Sequence, residues 1–309
     1  MACGSAHAQD YPSKPVRLVI GYPPGGSNDI AARQIAPKMS ERLGVQVVVD
    51  NRPGANGLIG GEFVSKSAPD GHTLGLAGLS PLVLSTFTYA KVPYDAVRDF
   101  AGIITVVMNS ELIVVHPALP VRSMQALIAL AKARPDTLDF ATAGSGGITR
   151  MLIELMKIST GIRVQHVAYK GAGPALVDLL GGHVQGMVMD LPVLYPQVKT
   201  GKLRALAITS ERRSALLTDI ATVSELGYPS LQAVNWLAIM APAKTPRAIV
   251  ERLHGVISQA ALSADLKERI IAGGSEPMVS ASPEAYTAFL KQEFERWRKV
   301  ATAANIRVQ

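Results

Sequence analysis

The chain alternates between short apolar runs and amphipathic stretches from residue 16 to about residue 208. The apolar runs are rich in Val, Ile and Leu, which is typical of buried strands. We predict strands at Val16–Ile20, Val45–Val49, Thr73–Leu76, Ile103–Val107, Leu112–Val115, Leu138–Ala141, Val164–Val167, Val184–Met189 and Leu203–Ile208. The spacing of apolar residues between them predicts helices at Ile30–Leu43, Leu58–Ser67, Met124–Arg134, Ile148–Ser159 and Pro174–Leu180. This alternation predicts an α/β fold with a parallel sheet.

The pattern changes after Trp236–Met240, because helical patterns then follow one another closely. They are Pro246–Leu262, Ala264–Ala272 and Pro283–Ala304. The last one has Ser282 in the position of an N-cap and Pro283 at the first helical position. Its apolar face consists of Tyr286, Leu290, Phe294, Trp297 and Ala301. We expect this face to pack against the rest of its domain.

Two segments share one local design, in which a strand leads into a glycine-rich loop and then into a helix. They are Leu18–Ile30 and Phe140–Arg150. The first amides of a helix lack partners within it, the helix dipole is positive there, and glycine lets a ligand approach closely. Each loop is therefore a candidate anion site, with further polar groups on Ser27, Asn28, Ser145 and Thr149. We interpret Asp29 as a cap that holds its loop.

Either loop alone is weak evidence, because glycine-rich turns between strands and helices are common. Two such loops in different halves of the chain indicate two lobes that close on an anion. The 309 residues themselves predict about two domains, at about 150 residues per domain.

The composition narrows the possible functions. One cysteine excludes a disulfide framework and a thiolate zinc site. The sequence contains no apolar run of about 18 residues that would cross a membrane as a helix. The formal charge is +7, but the basic residues are spread thinly, which favours a solvated surface over a nucleic-acid site.

The usual enzymatic motifs are missing, with one exception. The sequence has no nucleotide P-loop and no dinucleotide fingerprint, and its six histidines stand singly, so we predict no cofactor and no metal. Ala143–Gly147 imitates the nucleophile elbow of a serine hydrolase, with Ser145 as the nucleophile. Asp190 and His254 would then supply the acid and the base, although His254 lies on a predicted helix. We keep serine hydrolysis as the alternative function.

Two charged residues near the predicted site each have two interpretations. Asp190 follows the apolar strand Val184–Met189. It either faces a cleft, where it would bind a ligand amine, hydroxyl or acid proton, or it is a turn or cap residue. Arg150 lies one helical turn beyond the second loop, where it either pairs with a carboxylate or is solvated. The residues alone favour solvation for Arg150.

The first ten residues bear on the location of the protein. Ala6-His7-Ala8 followed by Gln9 has the form of a signal-peptidase site, so we expect an exported protein. Residues 1–10 would then be a signal remnant or residues left from cloning. A lipid-modified Cys3 is an alternative.

A series of short motifs covers the chain from residue 11 to about residue 304. They are Tyr11–Arg17, Pro24–Arg33, Val49–Ala55, Ala68–Leu74, Val92–Asp95, Tyr169–Gly171, Asp178–Gly182 and Gly201–Ala207. In this order they resemble the Bug receptors, the extracytoplasmic solute-binding proteins of tripartite tricarboxylate transporters. The number and the order of the motifs make the resemblance specific.

The resemblance implies a two-lobed periplasmic-binding-protein fold, type II-like, with a mixed sheet in each lobe and a ligand cleft between the lobes. The chain would cross between the lobes twice, near Asn109 and Gly227. Lobe 1 would contain residues 11–108 and 228–309, and lobe 2 residues 109–227.

The resemblance also implies that the two loops hold a small carboxylate, partly through water. The ligand-binding positions that the resemblance implies in this sequence are Tyr22, Pro24, Gly26, Ser27, Asn28, Thr142, Ala143, Gly144, Ser145 and Gly146. Gly78 stands where the family often has Ser, so a side-chain contact is lost there. Thr149 and Arg150 stand where the family often has Ser or Thr followed by His, and Arg150 would favour a second anionic group on the ligand. Asp190 matches a position near the pocket floor that varies with the ligand.

We therefore expect a monomeric periplasmic protein that closes on a small organic acid by a population shift and makes or breaks no bond. The ligand would be a mono- or dicarboxylate, aliphatic or aromatic, or an acidic amino acid. The protein would deliver this ligand to the membrane subunits of a tripartite tricarboxylate transporter or to a sensor protein. The effector domain of a transcription regulator shares this fold, but the sequence has no helix-turn-helix segment.

Overall fold

The computed structural model describes residues 11–304. Its strands are β1 (Val16–Ile20), β2 (Val47–Asn51), β3 (Thr73–Gly78), β4 (Phe100–Val115), β5 (Asp139–Thr142), β6 (Gln165–Ala168), β7 (Gly186–Asp190), β8 (Arg204–Ile208), β9 (Val234–Pro242) and β10 (Ser275–Pro277). Its helices are α1 (Ser27–Leu43), α2 (Leu58–Ser65), α3 (Ser85–Thr88), α4 (Met124–Ala133), α5 (Ile148–Thr160), α6 (Ala172–Leu180), α7 (Leu191–Lys199), α8 (Arg247–Ala261), α9 (Ala264–Ala272) and α10 (Pro283–Ala304).

The strands form one continuous mixed sheet in the order β2-β1-β3-β9-β4-β7-β5-β6, and β8 and β10 also pair with β4. β1 is parallel to β2 and β3, and β5 is parallel to β6 and β7. β9 is antiparallel to β3 and β4, and β4 is antiparallel to β7 and β8. The parallel pairing predicted from the alternating pattern is present within the groups β1–β3 and β5–β7, and the sheet as a whole is mixed, as the resemblance implied. The two parallel groups are joined by β4 and β9, which run against their neighbours.

β4 is the strand that joins the two lobes. Phe100–Ser110 pairs with β9, whereas Glu111–Val115 pairs with β7 and β8. We define lobe 1 as β1, β2, β3, β9 and β10 with α1–α3 and α8–α10, and lobe 2 as β5–β8 with α4–α7. The residue boundaries predicted from the resemblance, near Asn109 and Gly227, stay a proposal.

The pattern predicted two strands where β4 is one. Asn109, Ser110 and Glu111 are polar and interrupt the apolar run, as a turn would. In the structure they are extended and buried, and each has a register partner on a neighbouring strand. Tertiary pairing therefore outweighs the local polar signal.

The apolar faces predicted from the pattern form the core. Val16, Leu18 and Ile20 of β1 are fully buried. The predicted packing face of α10 is confirmed: Tyr286, Leu290, Trp297 and Ala301 are buried, and Phe294 packs against the same core. Burying each large apolar side chain stabilises the fold by about 1.5–3 kcal/mol.

A buried carboxylate also anchors α10. Trp236 of β9 and Trp297 of α10 both donate their indole N–H to Glu293, at 2.8 and 3.2 Å. These bonds tie the last helix to the strand that returns the chain to lobe 1.

α7 is absent from the sequence-based prediction because it contains Pro192 and Pro196. Proline near the start of a helix is tolerated, since the first amides have no partner within the helix. Within residues 11–304, no helix has both the length and the apolar character required to cross a membrane.

Candidate ligand-binding cleft

The first glycine-rich loop lies between the end of β1 and the start of α1, and Asp29 holds its shape. Its carboxylate accepts hydrogen bonds from Gly25 N at 3.0 Å, Arg33 Nε at 2.8 Å and Asn51 Nδ2 at 3.0 Å. Burial raises the pKa of Asp29, but these three donors outweigh burial and hold that pKa below its usual value. The first amides of α1 remain open, as they have no acceptor within the helix.

The second loop lies between β5 and α5 and touches lobe 1 directly. The amide of Ile148, the first residue of α5, donates to Ser80 Oγ at 3.1 Å. Thr88 Oγ1 donates to the carbonyl oxygen of Gly146 at 3.0 Å. Because Ser80 and Thr88 belong to lobe 1, the two lobes are in contact across the cleft.

A small cavity of about 50 Å³, here called the inner cavity, lies between the two loops. Nine of the predicted site residues line it: Tyr22, Gly26, Ser27, Asn28, Gly78, Ala143, Gly144, Thr149 and Asp190. The start of α1 approaches it from lobe 1, and the start of α5 approaches it from lobe 2. No Lys or Arg within residues 11–304 lines this cavity.

A larger cavity of about 490 Å³, the outer cavity, adjoins the inner one. The two cavities share Tyr22, Pro23, Asn56, Ala143 and Gly144. The predicted site residue Ser145 lines the outer cavity, together with Tyr89, Tyr169 and Lys170. Lys170 is exposed, so the outer cavity contains a cation that the inner one lacks.

Four predicted ligand contacts line neither cavity: Pro24, Thr142, Gly146 and Arg150. Pro24 is exposed and Thr142 is fully buried. Arg150, which the resemblance suggested as a contact for a second anionic group, is bonded to His166 and Glu154, and its side chain is 25% exposed. Its role in ligand binding stays a prediction.

Arg150 begins a hydrogen-bond chain that supports the second loop. Its Nη1 lies 2.7 Å from Nδ1 of His166, so Nε2 of the neutral imidazole is the donor to Thr142 Oγ1 at 2.6 Å. The Thr142 hydroxyl donates to the carbonyl oxygen of Gly144 at 2.8 Å. Arg150 Nε also pairs with Glu154 at 3.0 Å. Burial, and then the charge of Arg150, lower the pKa of His166 to about 4.

Asp190 forms the floor of the inner cavity. It is buried, it accepts hydrogen bonds from Ser27 Oγ and from Asn235 Nδ2, and the Asn235 bonds measure 3.0 and 3.2 Å. Burial raises the pKa of Asp190. Its side chain does not cap α7, so of its two interpretations the structure supports the one that faces the cleft.

Reasoning from sequence missed Asn56, Ser80 and Asn235, which all line the inner cavity. Asn56 adopts a left-handed conformation with φ 55°, for which an Asn-Gly pair is a recognisable signal. Asn235 explains Gly78, because a Cβ at Gly78 would lie 2.8 Å from Asn235 Oδ1. The space that a serine side chain would need at Gly78 is therefore filled by the neighbouring strand.

The hydrolase alternative required Ser145, Asp190 and His254 to meet. His254 Nε2 lies 2.9 Å from the carbonyl oxygen of Ser280, and Asp190 is bonded to Ser27 and Asn235. Within the described residues, none of these hydrogen bonds connects the three. The structure does not assemble that constellation.

Known proteins support the same architecture. Residues 31–306 match the model of the family described as "Tripartite tricarboxylate transporter family receptor". Protein BugT of Bordetella pertussis is 38% identical over 294 residues, which cover 95% of this chain and 90% of BugT.

Two solved structures from Rhodopseudomonas palustris are also similar. Rpa4515 with adipate is 32% identical with a TM-score of 0.93, covering 97% of this chain and 100% of that one. MatC with bound malate is 27% identical with a TM-score of 0.89, covering 94% of this chain and 100% of that one. The chain therefore belongs to the tripartite tricarboxylate transporter receptor family, the Bug receptors, which are two-lobed periplasmic solute-binding proteins.

Proposed function

We propose that this protein binds a small dicarboxylate in the cleft and delivers it to the membrane subunits of a tripartite tricarboxylate transporter. The observation that carries the proposal is the convergence of two helix starts, those of α1 and α5, on one cavity. At α5 the amide of Ile148 is bonded to Ser80, and the amides that follow it have no acceptor within the helix. Backbone amides at such ends attract and hydrogen-bond an anion. A sensor protein as the receiver is the alternative.

The inner cavity suits one carboxylate group. Its volume of about 50 Å³ exceeds the roughly 10–15 Å³ that one water requires in the same measure, and it is too small for a long ligand. Its lining offers neutral hydrogen-bonding groups from Ser27, Asn28 and Thr149. The carboxylate would be held by these groups, by Asn56 and Ser80, and by ordered water.

The outer cavity suits the remainder of the ligand. The side chain of Lys170 forms no ion pair in residues 11–304 and lines this cavity, so it is the group we assign to the second carboxylate. Rpa4515 and MatC, whose structures contain adipate and malate, support a dicarboxylate of four to six carbons.

Closure is part of the proposed mechanism. A ligand that contacts both loops favours the arrangement in which the lobes meet, so binding shifts the population towards it. The direct contacts from Ser80 and Thr88 to the second loop add to the stability of that arrangement. Export to the periplasm belongs to the same proposal. The predicted signal-peptidase site, Ala6-His7-Ala8, lies outside the described residues.

Isothermal titration calorimetry with succinate, malate, adipate and their monocarboxylate analogues tests the proposal. We expect at least one dicarboxylate to bind more tightly than its monocarboxylate analogue. Lys170→Ala should remove most of that preference, while Lys202→Ala, an exposed lysine outside both cavities, should retain it. Failure of every carboxylate to bind would overturn the proposed function.

A further inference from the structure

We propose that Glu111 and Asp190 form a proton-binding site under the inner cavity, and that binding of a carboxylate ligand takes up one proton at this pair. This inference rests on the proposed function, because it concerns the same cavity. It adds a coupling between the ligand and protons to that function.

The sheet register brings the two carboxyl groups together. In the antiparallel pairing of β4 with β7, Glu111 stands directly opposite Asp190. Two residues earlier on β4, Asn109 stands opposite Asn235 of β9. Residues two apart on a strand point to the same face, so these four polar side chains share one face where β4 passes between the lobes.

The pair is buried and has no cation. Glu111 is 0% exposed and Asp190 is 4% exposed. Asp190 is the register partner of Glu111, and both carboxylate oxygens of Glu111 are buried without a hydrogen-bond donor. Two buried carboxyl groups without a cation do not both ionise, because like charges in a low-dielectric site repel each other strongly. A proton between them converts the contact into a hydrogen bond.

Burial and the charge of Asp190 raise the pKa of Glu111 well above its usual value. Burial also raises the pKa of Asp190, although donation from Ser27 and Asn235 opposes that rise. In the free protein the pair therefore retains one proton, located on Glu111, and the floor of the cavity carries one negative charge.

The groups that face the pair from lobe 1 do not neutralise that charge. Ser27 and Asn28 of α1 and Asn235 of β9 are neutral and do not titrate. Tyr22, from the loop before α1, is neutral at neutral pH, and burial raises the pKa of its hydroxyl further.

The charged groups on the lobe 2 elements packed against β4 and β7 are engaged elsewhere. On α5, Arg150 pairs with Glu154, and on α6, Asp178 accepts from Tyr169. On β8, Arg204 donates to backbone carbonyl groups of the β4–α4 connection. On α7, Lys199 lies over the ring of Tyr195 at 5.8 Å.

The remaining packed elements carry Arg247, Glu251, Arg252 and His254 on α8, Glu276 on β10, and Glu293 with its neighbouring charges on α10. Among the described residues, none of these forms an ion pair or hydrogen bond with Glu111 or Asp190, and none alters the pKa of either carboxyl group. Protons are thus the charge that balances the pair.

The cavity floor also has an excess of acceptors. Asn28 Oδ1 and Asn235 Oδ1 are buried without a hydrogen-bond partner, and both residues line the inner cavity. Asn28 and Asn235 are 6% and 7% exposed. A proton on Asp190 supplies a hydrogen-bond donor at a cavity floor where Asn28 Oδ1 and Asn235 Oδ1 have none. It also removes the negative charge that would repel the incoming carboxylate.

The test counts protons by calorimetry. The observed binding enthalpy of adipate, or of whichever dicarboxylate the panel identifies, is measured in phosphate and Tris buffers at pH 7.5. Its dependence on the ionisation enthalpy of the buffer gives the number of protons taken up. We expect an uptake approaching one proton, and a Kd that increases by up to about tenfold per pH unit.

Three variants locate the proton. Asp190→Asn should bind with almost no proton uptake, since its amide needs no proton to face the ligand. Glu111→Gln should leave the uptake close to one proton, since its amide donates to Asp190 as the protonated Glu111 does. Asp265→Asn, at a surface ion pair with Lys38, should behave as the unmodified protein.

The outcomes separate the two proposals. Binding of a dicarboxylate with no proton uptake by the unmodified protein would overturn the proton inference and leave the proposed function intact. Uptake that persists in Asp190→Asn would assign the proton to the ligand and would also overturn it. Absence of binding to any carboxylate would contradict the proposed function itself.

Discussion

The two glycine-rich loops have the same local design but are held by different means. The first loop is fixed within lobe 1, where Asp29 collects donors from Gly25, Arg33 and Asn51. The second loop is held within lobe 2 by the series of hydrogen bonds that links Arg150, His166 and Thr142. It is also held from lobe 1 by hydrogen bonds with Ser80 and Thr88.

This difference shows which hydrogen bonds of the two loops are independent of lobe closure and which form only on closure. The network of Asp29 is internal to lobe 1, so the first loop keeps its shape whichever way the lobes are arranged. Two contacts of the second loop exist only when the lobes meet. We infer that the first loop offers a preformed anion site and that the second completes it on closure.

The largest expected effect comes from Gly147→Val, which targets closure. A Cβ at Gly147 would lie 2.8 Å from Ser80 Oγ and 3.0 Å from Asn56 Oδ1, both in lobe 1. The φ of Gly147 is −96°, which any residue adopts, so lobe 2 should fold normally. We expect Kd to increase by about 100-fold, or about 2.7 kcal/mol.

Calorimetry measures this effect, and small-angle scattering should show an enlarged radius of gyration in the presence of ligand. Gly173→Ala is the matched control, because a Cβ there meets open space. Normal affinity in Gly147→Val would contradict the closed arrangement of the two loops.

The next effect is on the stability of the first loop. Asp29→Ala removes the acceptor of three donors, and we expect the free energy of unfolding in urea to fall by about 2–3 kcal/mol. In the unmodified protein the contribution of Asp29 is complete above its unfolded pKa, and it is lost as pH falls through the lowered folded pKa. Asp265→Ala, on the surface, should cost much less, because water screens its ion pair with Lys38. Equal losses in the two variants would refute the role assigned to Asp29.

A smaller effect concerns pH and the second loop. The pKa of His166 is lowered to about 4, so the unfolded chain takes up the proton first as pH falls. The contribution of neutral His166 is complete above about pH 6.5 and is lost between about pH 6.5 and 4. Thermal unfolding should show a shallower loss of Tm over that range in His166→Gln. His183→Gln, at an exposed histidine, should follow the unmodified protein.

The smallest effect is expected for Arg150→Ala. Because Arg150 contacts His166 and Glu154 and lines neither cavity, its loss should weaken monocarboxylates and dicarboxylates alike. We expect a two- to fivefold increase in Kd, within the roughly 0–1 kcal/mol of a partly exposed ion pair. A selective loss of dicarboxylate affinity, measured by calorimetry, would restore the direct contact that the resemblance suggested.

Much of the fold follows from local pattern. The strands and helices of the two parallel groups, and the packing face of α10, were predictable because their apolar spacing repeats with the period of each element. β4 was predicted as two strands because the polar triplet Asn109–Glu111 interrupts its apolar run. α7 was missed because it contains two prolines. In both elements the local signal opposes the structure that tertiary contacts impose.

The candidate site was predictable to a similar extent. Residues in or next to a glycine-rich loop, such as Ser27 and Gly144, can be predicted from the loop motif. Asn235 and Ser80 do not, because they lie far along the chain from either loop and reach the cavity only through sheet pairing and lobe contact.

The family, the alternating elements and the two glycine-rich loops before α1 and α5 can be read from the amino-acid sequence, because each of these is encoded in contiguous residues. Three contacts required the folded structure: Arg150 with His166, Asn235 beside Gly78, and Glu111 opposite Asp190. The physical reason is that side-chain partners are set by strand register and lobe contact. Both join residues that are distant in sequence.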